Sequence, residues 1–285
     1  MTTQLDSLRR YVATRPLPPS SEAPERVLLV GSGKGGIGTS TVAALLAVMA
    51  ASDGQDVLLV DADESHGALP MLTGVEPRHP LSRLRGGEGT PNDLLIELGT
   101  GLSLLPLGGT GDPGEHLPAA ERRALLRRAA STYGQFDLVI VDAGSKLEQV
   151  LAAAASGAAR LLAVTAAERI SAAATYALIK MVDDRCAGLP IDLLFNRSNL
   201  SVATGGFDEV DAATRHFLRR GIDFAGAVPD DDRLRTTMAD GVPLQDAAAL
   251  GTPATTACHE LVARITRLID ERSLAVVAPR LSPRR

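Results

Sequence analysis

The chain of 285 residues is 45% hydrophobic, enough to bury a sizeable core without a disulfide or metal staple. Lys and Arg total 29 against 34 Asp and Glu, a net charge of −5, and aromatic residues make up 3% with no Trp. This balance excludes the basic excess of a non-specific nucleic-acid binder and the stacking platforms of OB-fold or RRM-like readers.

In chain order, Leu5, Leu8, Tyr11 and Val12 fall on one helical face, and Pro16, Pro18, Pro19, Ser20, Ser21 and Pro24 follow as a linker that holds neither helix nor ladder. Residues 1–25 are therefore an expected arm and linker. From Arg26 short β-rich runs alternate with helical patterns, which predicts an α/β fold with a mostly parallel sheet and helices on both faces. One domain over 26–272 is the expectation, with a basic tail over 273–285. Strands are expected near 26–30, 57–61, 102–106, 137–142, 160–165, 190–195 and 222–228. Helices are expected near 39–52, 117–132, 146–157, 170–185, 208–220 and 253–272. Runs such as Leu138-Val139-Ile140-Val141 are apolar on both faces, so those strands should be covered from each side.

The Gly-, Pro- and Arg-rich stretch 78–93 predicts an exposed loop. Cys186 and Cys258 match no ligand spacing and read as reduced core fillers of a cytosolic protein. No apolar run reaches the roughly 18 residues that span a bilayer, and no basic-then-apolar leader is present. A soluble, non-secreted protein is expected. The stripe Leu261, Ile265, Leu268 and Ile269 reads as core-facing, and the tail is broken by Pro279 and Pro283, so membrane binding should be weak or absent.

The chemistry sits at three strand ends. Val27 to Val30 runs into Gly31-Ser32-Gly33-Lys34-Gly35-Gly36-Ile37-Gly38-Thr39-Ser40-Thr41, followed by an Ala/Leu-rich helix. Such glycines let backbone amides turn onto phosphate oxygens, the helix N-terminus adds positive charge, and a terminal hydroxyl, here Ser40, can hold Mg²⁺. The other reading is a Gly-rich turn that binds nothing. The phosphate-loop pattern G-x-x-x-x-G-K-[ST] fits from Gly33 to Ser40 except at the lysine, where Thr39 stands and brings no charge.

Val60-Asp61-Ala62-Asp63 places two acids at the C-terminal edge of a parallel strand, where ligands bind in open sheets; two solvated loop acids are the alternative. Phe136 to Gly144 reads as a buried strand delivering Asp142 to Mg²⁺, with Gly144 letting the next segment approach the γ-phosphate. Lys146 either restores the charge missing at Thr39 or is an exposed lysine at a helix start.

Lys34-Gly35-Gly36-Ile37-Gly38-Thr39-Ser40-Thr41 resembles the K-G-G-x-G-K-[ST]-T loop of the deviant Walker A ATPases of the MinD/ParA family, with Thr39 as the one departure. The resemblance covers roughly 26–272. It implies ATP bound by Gly33, Lys34, Gly35, Gly36, Ile37, Gly38, Thr39, Ser40 and Thr41, and Mg²⁺ near Ser40, Asp61 and Asp142. It further implies that Lys34 reaches across an ATP-bridged homodimer to the partner's nucleotide, and that Asp63 orients the attacking water. Asn196, in Phe195-Asn196-Arg197, and the turn Pro229-Asp230 would frame the adenine.

Val164-Thr165-Ala166-Ala167-Glu168 and Thr175-Tyr176-Ala177-Leu178-Ile179-Lys180 resemble the T-x-P-E segment and Y-A-L-I-K helix of the flagellar-number branch, FlhG or FleN, without the proline. The Asp142-Ala143-Gly144 turn fits the same branch. Gln4, Leu8 and Arg9 match its N-terminal D-Q-A-x-x-L-R, which there activates the GTPase FlhF, while Thr3 and Leu5 depart.

The resemblance implies a cytoplasmic spatial or numerical regulator, peripheral at the inner membrane or cell pole, with an FlhF-like GTPase or polar-machinery protein as partner. A hydrolysis-poor nucleotide-binding scaffold like the TadZ/CpaE pilus-localisation proteins is the second reading, which Thr39 favours. DNA partitioning is third, and the acidic balance argues against it.

Overall fold

The computed structural model describes residues 26–64, 67–77, 84, 89–108 and 118–277. The expected arm over 1–25 and the Pro-broken end after 277 lie outside the described residues. Strands β1 (Val27–Ser32), β2 (Val57–Asp61), β3 (Ile96–Gly99), β4 (Leu102–Pro106), β5 (Leu138–Asp142), β6 (Arg160–Thr165), β7 (Ile191–Asn196) and β8 (Asp223–Val228) form one sheet in the order β3-β4-β2-β5-β1-β6-β7-β8. All neighbours run parallel except β3 with β4. The sheet is mostly parallel, as expected. The antiparallel edge strand β3 was not anticipated, because Ile96-Glu97-Leu98 is a short alternating run beside a loop-rich stretch.

Every residue of β1, β2, β5, β6 and β7 is buried, which follows from their apolar content on both faces. Along β1, Leu28 and Val30 pack into one core layer and Val27 and Leu29 into the other. The first layer is closed by α1 (Thr39–Ser52), α2 (Ala68–Thr73), α7 (Asp232–Ala239), α8 (Leu244–Ala248) and α9 (Pro253–Val277). The second is closed by α3 (Ala119–Ala129), α4 (Leu147–Ala154), α5 (Arg169–Arg185) and α6 (Leu200–Ala213). Each fully buried Leu in these layers contributes about 2 kcal/mol of transfer free energy.

Several elements differ from the sequence reading. The helix expected at 208–220 begins at Leu200, where the Asn199 side chain accepts the Val202 amide at 2.9 Å, and it ends in a wide turn over Thr214–Leu218. Gly205 and Gly206 argue against a helix by propensity, yet a Cβ at Gly206 would lie 2.7 Å from the Phe195 ring, so close packing overrides it. The short helices α2, α7 and α8 were not anticipated. In the stretch 78–93, Leu84 and Pro91 are buried, which corrects the exposed-loop expectation at those residues. The last helix runs on to Val277.

In α9, Leu261, Val262, Ile265 and Ile269 are buried in the layer shared with α1, and Leu268 is half-buried. The stripe faces the core, as read from the sequence. No described helix is long and apolar enough to cross a membrane.

Candidate functional site

The strand order makes the site. The chain leaves β1 for β2 on one side and reaches β6 on the other, with β5 between β1 and β2, so the C-terminal ends of β1, β2 and β5 lie side by side. The loop 31–38, Asp61 and Asp142 are thereby brought together. Asp142 is the Cα partner of both Val30 and Asp61.

The loop after β1 leads into α1 through Gly38, whose φ of 85° lies in the left-handed region. A Cβ there would also fall 2.5 Å from Asn196 Nδ2. No side chain caps α1 and no acid sits in its first turn, which leaves its N-terminal amides suited to an anion. Gly33, Gly35, Gly36 and Ile37 complete the turn, with Ile37 buried in the core and Ser40 and Thr41 half-buried in the first helical turn.

Asn196, the last residue of β7, donates through Nδ2 to the Ile37 carbonyl at 2.7 Å. The structure therefore brings Asn196 to the phosphate loop as a tether. Pro229 and Asp230 sit at the end of β8, the far edge strand, where Asp230 pairs with Arg235 at 3.2 Å.

Thr39 is buried and its Oγ1 donates to Ser32 Oγ at 2.8 Å. Ser32 Oγ in turn donates to the Lys34 carbonyl at 3.1 Å, and the Ser32 amide donates to the Gly144 carbonyl at 2.9 Å. The hydroxyl that replaces the lysine thus closes the loop from beneath. Lys34 Nζ lies 2.6 Å from Glu168 Oε2, a half-exposed ion pair that holds the Glu168 carboxyl below its usual range. Lys146 is exposed at the start of α4.

Asp61 and Asp142 are both fully buried. Asp61 Oδ1 accepts the Asp63 amide at 3.2 Å and Oδ2 accepts the Leu69 amide at 3.4 Å, so this acid shapes the segment between β2 and α2. Burial, reinforced by the Asp142 charge, raises its pKa well above the carboxylate range. Burial likewise pushes Asp142 up to about 6, against the lowering effect of the neighbouring Ser40 hydroxyl and Gly144 amide. Asp142 Oδ1 accepts that amide at 3.0 Å, while Oδ2 is buried with no hydrogen-bond partner. An orphaned buried carboxylate oxygen beside the Ser40 hydroxyl is a donor set that fits Mg²⁺.

Asp63 lies against Gly144, where a Cβ would fall 2.2 Å from Asp63 Oδ2. Gly144 has a φ of 63°, again in the left-handed region. On the other side stands Gln149 of α4, which is buried. With its amide oriented to match donor to acceptor, it donates to Asp63 Oδ1 at 3.0 Å and accepts the Glu64 amide at 3.2 Å. The Glu64 carboxylate is gripped by the Arg122 guanidinium of α3 in a buried bidentate pair. Gln149, Ser32, Glu168 and the Glu64–Arg122 pair all escaped the sequence reading. Of these, Ser32 inside the glycine-rich loop and Glu168 at the end of the T-x-P-E-like segment carried a local signal.

The sequence model of the family described as "ParA: NUBPL iron-transfer P-loop NTPase" matches residues 23–93, the span holding the phosphate loop and Asp61 to Asp63. The antiactivator FleN of Pseudomonas aeruginosa is 26% identical over 214 residues, 74% of this chain and 76% of that protein. This chain is similar to P-loop NTPases of the MinD/ParA family. The septum site-determining protein MinD of Bacillus subtilis is 27% identical over 223 residues, 76% of this chain and 81% of that protein.

The fold of this chain matches the solved structure of the Pyrococcus furiosus cell division ATPase MinD with a TM-score of 0.68 at 24% identity, over 86% of this chain and 100% of that one. P-loop NTPases of this kind bind nucleotide, usually with Mg²⁺.

Proposed function

We propose that this protein binds Mg-ATP on the loop from Gly33 to Thr41, pairs with a second copy around the nucleotide, and uses that switch as a spatial or numerical regulator, flagella being the first system to test. The observation that carries the reading is the buried, unpartnered Asp142 Oδ2 next to Ser40, at the start of a helix that no side chain caps. Ser40 and Asp142 would hold Mg²⁺, which when bound supplies positive charge to the phosphates.

Lys34 would turn from Glu168 to the partner's nucleotide. An exposed ion pair is weak in water, so little opposes the exchange. Asp63 would orient the attacking water, and Thr39, lacking charge, makes hydrolysis slow. Asn196 would act on the nucleotide through the loop it tethers, beside any contact that it, Pro229 and Asp230 make with adenine. Likeness to FleN and the Y-A-L-I-K segment favour the regulator over a hydrolysis-poor scaffold. The match of Gln4, Leu8 and Arg9 makes an FlhF-like GTPase the partner to test first.

Titration calorimetry with Mg-ATP and light scattering of the Asp63→Ala variant with ATP or ADP test this reading. Binding that vanishes in Asp142→Ala, and a dimer with ATP alone, are expected. Binding unaffected by Asp142→Ala, or a monomer with both nucleotides, overturns it.

A further inference from the structure

We propose that Gln149 is a positioning residue for Asp63, coupling the segment after β2 to the helix that follows β5, and so sets the rate of ATP hydrolysis. The inference rests on the hydrolysis reading given under Proposed function. Three contacts carry it. The Gln149 amide donates to Asp63 Oδ1 at 3.0 Å and accepts the Glu64 amide at 3.2 Å, so one planar group fixes both the carboxylate and the backbone that bears it. Gly144 lets the carboxylate sit this close, since a Cβ there would stand 2.2 Å from Asp63 Oδ2. Arg122 holds the Glu64 side chain from α3, which anchors the next residue independently.

The residue type suits the place. Asp61, Asp63 and Asp142 already bring three carboxyl groups to this edge. A second carboxylate at 149 would repel Asp63, and a hydrocarbon would leave both Asp63 Oδ1 and the Glu64 amide without this partner. A cation would compete for the carboxylate that must face water. A neutral amide orients Asp63 without neutralising it. Gln149 lies 1% exposed in α4, directly after the Asp142 turn, so any shift of that turn on nucleotide binding is passed to Asp63 through this side chain.

Two variants of the full-length protein separate the bonds, each made in the wild type and in Thr39→Lys. Gln149→Met keeps the length and removes both bonds. Gln149→Glu keeps the acceptor for the Glu64 amide and removes the donor to Asp63. Both should lower kcat at least about tenfold while KM and the affinity for a non-hydrolysable ATP analogue stay within about twofold. Hydrogen exchange at the Glu64 amide should quicken about tenfold in Gln149→Met and stay near the parent rate in Gln149→Glu.

An unchanged kcat in active parents overturns the proposal. So does a loss of kcat that travels with equal losses of affinity and melting temperature, which a purely structural glutamine would produce. Silence of both parents overturns the hydrolysis reading itself, and Gln149's part in it; it differs visibly from a silent variant of an active parent.

Discussion

Thr39 Oγ1 donates to Ser32 Oγ across 2.8 Å, turning the hydroxyl inward at the position where a phosphate loop carries its lysine. The loop gains a brace and loses a cation. Thr39→Lys should therefore raise turnover roughly a hundredfold, since one preorganised electrostatic contact is worth on the order of 3 kcal/mol at the transition state. It also removes the brace, at about 1 kcal/mol of stability. Phosphate release checks the rate, and adding Asp63→Ala should return it to baseline. No gain from lysine alone would point to another cation, with Lys146 the first to test.

Asn196 offers a sharper choice. Its amide holds the Ile37 carbonyl at 2.7 Å and stands where a Cβ of residue 38 would go. Gly38→Val should abolish nucleotide binding, because a β-branched residue fits neither the left-handed backbone nor the space. Asn196→Ala should weaken binding by about 1 kcal/mol, roughly fivefold. If it acts through the loop, inorganic tripolyphosphate loses as much affinity as ATP in calorimetry. A loss confined to ATP would assign Asn196 to the adenine.

At the opposite end of the sheet, Arg160 of β6 binds Asp192 of β7 and lies 2.7 Å from Asp223 of β8. Burial pushes the Asp192 carboxyl upward even beside this guanidinium. Arg160→Met strands a buried acid and should cost about 3–5 kcal/mol in chemical denaturation. Adding Asp192→Leu should recover most of it. ATP affinity of the folded fraction should not change, because the strand C-termini bear the site. A double variant no better than the single would refute the account.

Burial pushes the Cys258 thiol up to about 12, whereas Cys186 is only half-buried. The folded state holds the Cys258 proton that the unfolded chain releases near pH 8.5. This contribution to stability is therefore whole below about pH 8.5 and shrinks as pH rises towards the folded value. At pH 8, iodoacetamide should label Cys186 first and Cys258 only at the rate of unfolding, read by mass spectrometry. Equal labelling rates would contradict the buried placement.

Much of this protein is local and so readable in the sequence. A strand buried on both faces must be apolar throughout, which exposes β1, β2, β5, β6 and β7 as runs. A loop that offers amides to phosphate needs glycines between a strand and a helix, which exposes 31–41. Acids at strand ends exposed Asp61, Asp63 and Asp142 as candidates. The early start of α6 at Leu200 was not readable, because Gly205 and Gly206 oppose a helix by propensity and only the packing of Gly206 against the Phe195 ring overrides this.

Composition, periodicity and spacing determined the α/β class, the phosphate loop and the missing lysine, since each is a property of neighbouring residues. The tertiary structure alone decided what those residues touch. It set Asp61 on two backbone amides, left Asp142 Oδ2 unpartnered, turned Thr39 onto Ser32, and brought Gln149 to Asp63 across 86 positions of chain. Hydrogen bonds act over about 3 Å, and only the strand order, with β5 between β1 and β2, brings such distant residues within that range.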